Sequence, residues 1–153
     1  MSIFIVFVAR LLLVLLFLPF SALDKVLNFG QAVAQASQIT GKRWLATALI
    51  VGGFFTEVVM SAAILTGIAD RLAALLMAAY CLVTAVLWKQ FWKTADFRLK
   101  GASRGRDIFW DFLKNLAVAG GFLLLAVGTQ VSDARRFIDH PLSSSHPYTA
   151  YAY

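Results

Sequence analysis

Residues Leu45 to Gly67 read LATALIVGGFFTEVVMSAAILTG, an apolar run with a single carboxylate, Glu57, at its middle. About 20 such residues cross the hydrocarbon core of a bilayer. A carboxylate at that depth costs roughly 2.5–3.5 kcal/mol on insertion scales, so it persists beside a partner, protonated, or facing a polar cavity. The stretch therefore predicts a polytopic membrane protein with a polar interior. Arg10 lies inside the first apolar run, IFIVFVARLLLVLLFLPF from Ile3 to Phe20, and is the expected partner.

The rest of the chain has the same character. Its 153 residues are 60% hydrophobic and 14% charged, with a mean hydropathy of +0.75, where soluble domains carry about 25% charge. This excludes an ordinary soluble domain and predicts one membrane domain over residues 1–131, followed by an extramembrane tail, 132–153. The net charge of +6 resides mostly in loops, which points to anionic lipid headgroups and excludes nucleic acid as a partner. The single cysteine, Cys81, rules out an intramolecular disulfide. The N-terminus has no basic n-region and no Ala-x-Ala site, so it reads as a retained span and not as a signal peptide.

Hydropathy predicts four spans: Ile3 to Ala22, Leu45 to Gly67, Leu72 to Trp88 and Phe109 to Val131. The fold class is all-α, a four-helix transmembrane bundle with an interfacial segment between helices 1 and 2. Pro19 is placed to kink or end the first span. Asn28 to Thr40 is too polar to cross and suits a short interfacial helix. Gly67 to Arg71 forms a tight turn that makes spans two and three an antiparallel hairpin. Nine basic residues fall in the two longer loops, 23–44 and 89–108, against Arg71, Arg135 and Arg136 on the opposite side. The positive-inside rule then puts both loops in the cytoplasm and both termini outside.

Small residues mark where helices meet. Ala74, Ala78, Cys81 and Ala85 share one face of span three, and Gly120, Gly121 and Gly128 thin span four. Trp44, Trp88, Trp92 and Trp110 fall at span boundaries as an aromatic belt.

The polar residues within the bundle carry any chemistry. Arg10 and Glu57 sit at compatible depths, about 10 and 15 Å from one face by the helical rise. Two readings of that pair stay open: a proton-accepting or quinone-headgroup site, and an ion pair that fixes packing. Asp111, Lys114 and Asn115 share a face of span four by their i, i+3 and i, i+4 spacing, with Lys114 and Asn115 deeper and expected to line the interior. The only histidines, His140 and His146, lie in the tail, which argues against bis-histidine haem ligation by the bundle. Carboxylates without histidine or paired cysteine predict no metal site. The tail, with Tyr148, Tyr151 and Tyr153, suits docking on a neighbouring subunit.

An early arginine followed by Asp24-Lys25, Glu57 before Leu65-Thr66-Gly67-Ile68-Ala69-Asp70-Arg71-Leu72-Ala73-Ala74, and Lys114-Asn115-Leu116-Ala117-Val118-Ala119-Gly120-Gly121 resemble, in that order, the DoxX family of small four-helix membrane proteins. The likeness covers roughly residues 8 to 128. It implies a bacterial-type inner-membrane protein that serves as a small subunit of a larger assembly linked to redox or quinone-dependent electron transfer. Carried over by position, Arg10, Lys25, Glu57, Arg71, Lys114 and Asn115 match the family's polar signature. Many relatives have a histidine near the end of span three, where this chain has Trp88-Lys89-Gln90, and the basic loop from Lys89 to Arg106 looks extended, as a docking surface would be. No covalent cofactor is expected; quinone and bound lipid are the expected ligands, and other membrane subunits the expected partners. Two competing functions are a non-catalytic accessory subunit that stabilises a complex and a small transporter. Whether the chain belongs to an enzyme at all is left open.

Overall fold

The computed structural model describes residues 3–128 and 130–149. Seven helices account for most of them: α1 (Ile3–Val14), α2 (Ala22–Leu27), α3 (Phe29–Thr40), α4 (Arg43–Thr66), α5 (Asp70–Trp88), α6 (Arg104–Val127) and α7 (Val131–Asp139). Four segments are long and apolar enough to cross a membrane: Ile3–Leu27, Arg43–Thr66, Asp70–Lys93 and Arg104–Val127. The fold is all-α, as hydropathy requires.

The first span is broken where Pro19 predicts. Leu18 leaves helical geometry (φ −120°, ψ 112°), because the ring of a following proline disfavours the α region for the residue before it. The chain re-forms a helix at Ala22, now turned so that Ser21 and Lys25 approach the middle of α4. The helix expected from Asn28 to Thr40 is present as α3 and packs Val33 and Ala36 against Ala46 and Ile50 of α4.

The bundle closes as a ring in which α1 contacts α4 and α6, and α5 contacts the same two helices. Its core joins Val14, Phe17, Ile64, Met77, Ala119 and Phe122. In lipid there is no hydrophobic drive between helices, so association rests on close packing of small residues and on interhelical hydrogen bonds. The stripe Ala74, Ala78, Cys81 and Ala85 is buried to within 1%, and α5 and α6 form the most extensive contact in the molecule. The glycines of span four behave differently from one another. A Cβ at Gly121 would stand 3.1 Å from Leu13, whereas one at Gly120 would meet nothing. Gly128 adopts φ +75° and ends α6.

Span four is therefore shifted relative to the hydropathic reading, from Phe109–Val131 to Arg104–Val127. Asp96 accepts hydrogen bonds from the backbone of Arg104 (2.9 Å) and Gly105 (3.1 Å), and Ser103 Oγ accepts from Arg106 N (3.2 Å). These acceptors satisfy free N–H groups at the helix start and extend it into the polar loop. Phe91 anchors that loop, with its ring 5.2, 5.0 and 5.5 Å from those of Phe97, Phe109 and Phe112.

Candidate functional site

Two polar clusters lie inside the bundle, and they divide the residues singled out in the sequence. At the first, Glu57 is buried, with a side chain only 2% exposed. Its partner is Lys25, whose Nζ donates to Oε1 at 2.7 Å and Oε2 at 2.8 Å. Ser21 Oγ (2.9 Å) and the Tyr80 phenol (2.8 Å) also donate to Oε1. Lys25 donates its remaining proton to Ser21 Oγ at 2.8 Å. A buried carboxylate held by a cation and two hydroxyls is the arrangement that offsets its desolvation.

The expected Arg10–Glu57 pair does not form. Arg10 sits about two helical turns further along α4, where Nη1 donates to the Ile64 carbonyl (2.6 Å) and Nη2 pairs with Asp70 (2.7 Å). Compatible depths allowed the pairing, but the break at Leu18 brings Lys25 to Glu57, and the turn into α5 brings Asp70 to Arg10. Asp70, fully buried, is a member that the sequence reading treated only as a turn residue.

The second cluster is covered by the tail. Ser145 donates to Asp70 through its backbone N (2.9 Å) and its Oγ (2.5 Å), and accepts from Arg10 at 2.7 Å. Ser144 Oγ donates to the Gly67 carbonyl (2.7 Å), and the Tyr148 phenol donates to the Leu65 carbonyl. Gly67 adopts φ +78°, and any Cβ there would meet Pro147 at 2.8 Å. Arg71 donates to the Asp133 carbonyl at 3.1 Å. Ser144, Ser145 and Tyr148 of the tail thus rest on the chain's own bundle; Tyr151 and Tyr153 lie outside the described residues.

A cleft of about 420 Å³ opens over the Glu57 cluster. Glu57, Lys25, Ser21 and Tyr80 line its polar side and Leu16 and Phe17 an apolar side, while Lys89, Asp111, Lys114 and Asn115 also border it. Asp111 Oδ2 pairs with Lys89 at 3.0 Å, and Oδ1 lies 3.4 Å from Lys114. Asn115 lines the cleft as expected, but the Lys114 side chain is 75% exposed and stands at its rim. Five of the seven residues predicted as sites, Lys25, Glu57, Asp111, Lys114 and Asn115, therefore converge on one cleft. Arg10 belongs to the other cluster, and Arg71 donates to the Asp133 carbonyl of α7.

Sequence reasoning missed Ser21, Tyr80, Lys89, Asp70 and Ser145. A signal existed for Ser21, which stands four residues before Lys25 on the same helical face. Tyr80 was the one phenol within a predicted span. Ser145, in a polar tail of alternating small residues, carried none.

The DoxX family model matches residues 5–90, more than half of the chain. The chain belongs to the DoxX family. This DoxX protein is also 30% identical over 120 residues to inner membrane protein YphA of Escherichia coli (strain K12), across 78% of this chain and 79% of that relative. No solved structure matches it. The family match takes in Arg10, Lys25, Glu57, Asp70, Arg71 and Tyr80, and stops before the Lys114-Asn115 segment of the resemblance. The molecule is a DoxX-family integral membrane protein with four candidate spans, similar to an inner membrane protein.

Proposed function

We propose that this DoxX protein is a small subunit of a larger membrane redox assembly and that its Glu57 cleft receives the headgroup of a membrane quinone. The observation that carries this reading is a buried carboxylate, hydrogen-bonded by Lys25, Ser21 and Tyr80, lining a cleft with both a polar and an apolar side. Its volume falls in the roughly 300–1,000 Å³ range of small-molecule sites. Lys25 Nζ and the Tyr80 phenol, whose protons point at Glu57 and Ser21 in the ligand-free arrangement, are the donors that would turn to hold a quinone carbonyl. Glu57 is the group that would accept and pass protons, which reduction of a quinone consumes together with electrons. The electrons would come from a cofactor on a partner subunit, and this chain supplies position and protons.

In this reading loops 23–44 and 89–108 face the cytoplasm and both termini lie outside, as the basic residues indicate. The Lys89, Asp111 and Lys114 rim then faces the cytoplasm and is the proton entry. The test is Glu57→Gln in native membranes. Quinone-dependent electron transfer should fall about 100-fold, the low end of a general acid–base contribution, with assembly intact. Unchanged turnover removes the proton role.

One observation favours a second reading, a non-catalytic accessory subunit. Lys25 directs all three of its protons to Glu57 and Ser21, as expected for an ion pair that fixes helix register. Glu57→Gln with normal turnover and weakened assembly would support it.

A further inference from the structure

A second depression adjoins the Glu57 cleft. Between α4 and α5 runs a groove of about 350 Å³, with Leu49 and Gly52 on one wall and Val83 and Leu87 on the other. It ends at Lys25 and Tyr80, which also line the Glu57 cleft. Two adjacent glycines give the groove its width. A Cβ at Gly52 would meet nothing within 4 Å, so the space beside it is open. A Cβ at Gly53 would stand 3.1 Å from Tyr80 Oη, so that glycine lets the phenol lie against α4 and reach Glu57.

We infer that this groove seats the isoprenoid tail of the quinone whose head enters the Glu57 cleft. The inference rests on the quinone reading above and adds the route by which the ligand's tail leaves the site. Three features select this occupant. The walls are apolar and partly exposed at Leu49 and Val83, so hydrocarbon fits them and can enter from the side. Lys25 is the charged group among the lining residues, and Glu57 neutralises it at 2.7 Å. The head admitted at that end is therefore neutral and hydrogen-bonding, which a phospholipid phosphate is not. The groove is also continuous with the donors Lys25 Nζ and Tyr80 Oη, where a quinone carbonyl would be held.

The experiment uses the full chain in phosphatidylcholine nanodiscs, with a quinone bearing a photoreactive isoprenoid tail and a tail-less quinone of the same headgroup. Gly52→Leu fills the groove at a position with free space and leaves the Glu57 cluster untouched; Val83→Trp fills it from the opposite wall. In the wild type, the tail should label peptides around Leu49–Gly53 and Val83–Leu87. Each filled variant should bind the long-tailed quinone about tenfold more weakly, a difference well within what apolar burial supplies, while tail-less binding is unchanged. If both filled variants bind the long-tailed quinone as the wild type does, with label elsewhere, the groove assignment is overturned and the quinone reading survives. If neither quinone binds saturably, both are overturned. Labelling of the same peptides by a photoreactive phosphatidylcholine that added quinone does not displace would place a structural lipid there and overturn the inference.

Discussion

Replacing Lys25 with methionine keeps the unbranched stem of the side chain, one atom shorter, and removes the charge that Glu57 faces. Among the described residues, Lys25 contributes two of the four hydrogen bonds on that carboxylate, and the only one on Oε2. Removing one partner of a buried ion pair costs about 3–5 kcal/mol. At the low end of that range we expect about 3 kcal/mol, or roughly 6–12 °C in the unfolding midpoint by soluble-domain scaling. Glu57→Gln should cost less, about 1–2 kcal/mol, because the Lys25 side chain is 16% exposed at the cleft and can turn its head toward water. The double variant removes the pair together, so its loss should fall short of the sum by about 2 kcal/mol. Cys81 provides the assay: it is the sole cysteine and fully buried, so its modification by a maleimide dye on heating in detergent reports opening of the bundle. Additivity within about 0.5 kcal/mol would refute the pairing. So would a larger loss for Glu57→Gln than for Lys25→Met.

The remaining predictions use the same dye, a protease, or tyrosine absorbance. Asp70→Asn removes the anion beneath Arg10 and should destabilise the bundle by about 3 kcal/mol; an unchanged midpoint would refute the buried Arg10–Asp70 pair. Ser145→Ala removes one hydroxyl that bridges both charges and should cost about 1 kcal/mol while speeding proteolysis between His140 and Tyr148; a tail cut at the wild-type rate would show that Ser145 does not hold it. Gly53→Ala places a methyl 3.1 Å from the Tyr80 phenol, so it should shift the tyrosine ultraviolet difference signal in the direction seen for Glu57→Gln, an effect Gly52→Ala should lack.

The four spans were legible because hydropathy over a bilayer-length window needs no knowledge of partners, and Glu57 was legible because one carboxylate interrupts such a window. Which cation meets it was not. That depends on a break at Leu18, signalled by Pro19, whose consequence is a rotation of Ser21 and Lys25 that no one-dimensional pattern encodes. Lys25 accordingly read only as a member of a polar signature, and Asp70 as part of a turn. The start of α6 was misplaced for a related reason: Asp96 caps it from eight residues upstream, and hydropathy is blind to capping. The tail's seat on Gly67 and Asp70 joins residues more than 70 apart, a long-range contact with no local signature.

The central claim is that the Glu57 carboxylate, held by Lys25, Ser21 and Tyr80, faces a cleft that takes a quinone headgroup. Infrared difference spectroscopy of the purified protein in nanodiscs, recorded on addition of a tail-less quinone, tests it most directly. The account predicts a saturable change in a carboxyl band that is absent in Glu57→Gln. A spectrum in which no carboxyl band responds, or in which the same band changes in Glu57→Gln, would contradict it.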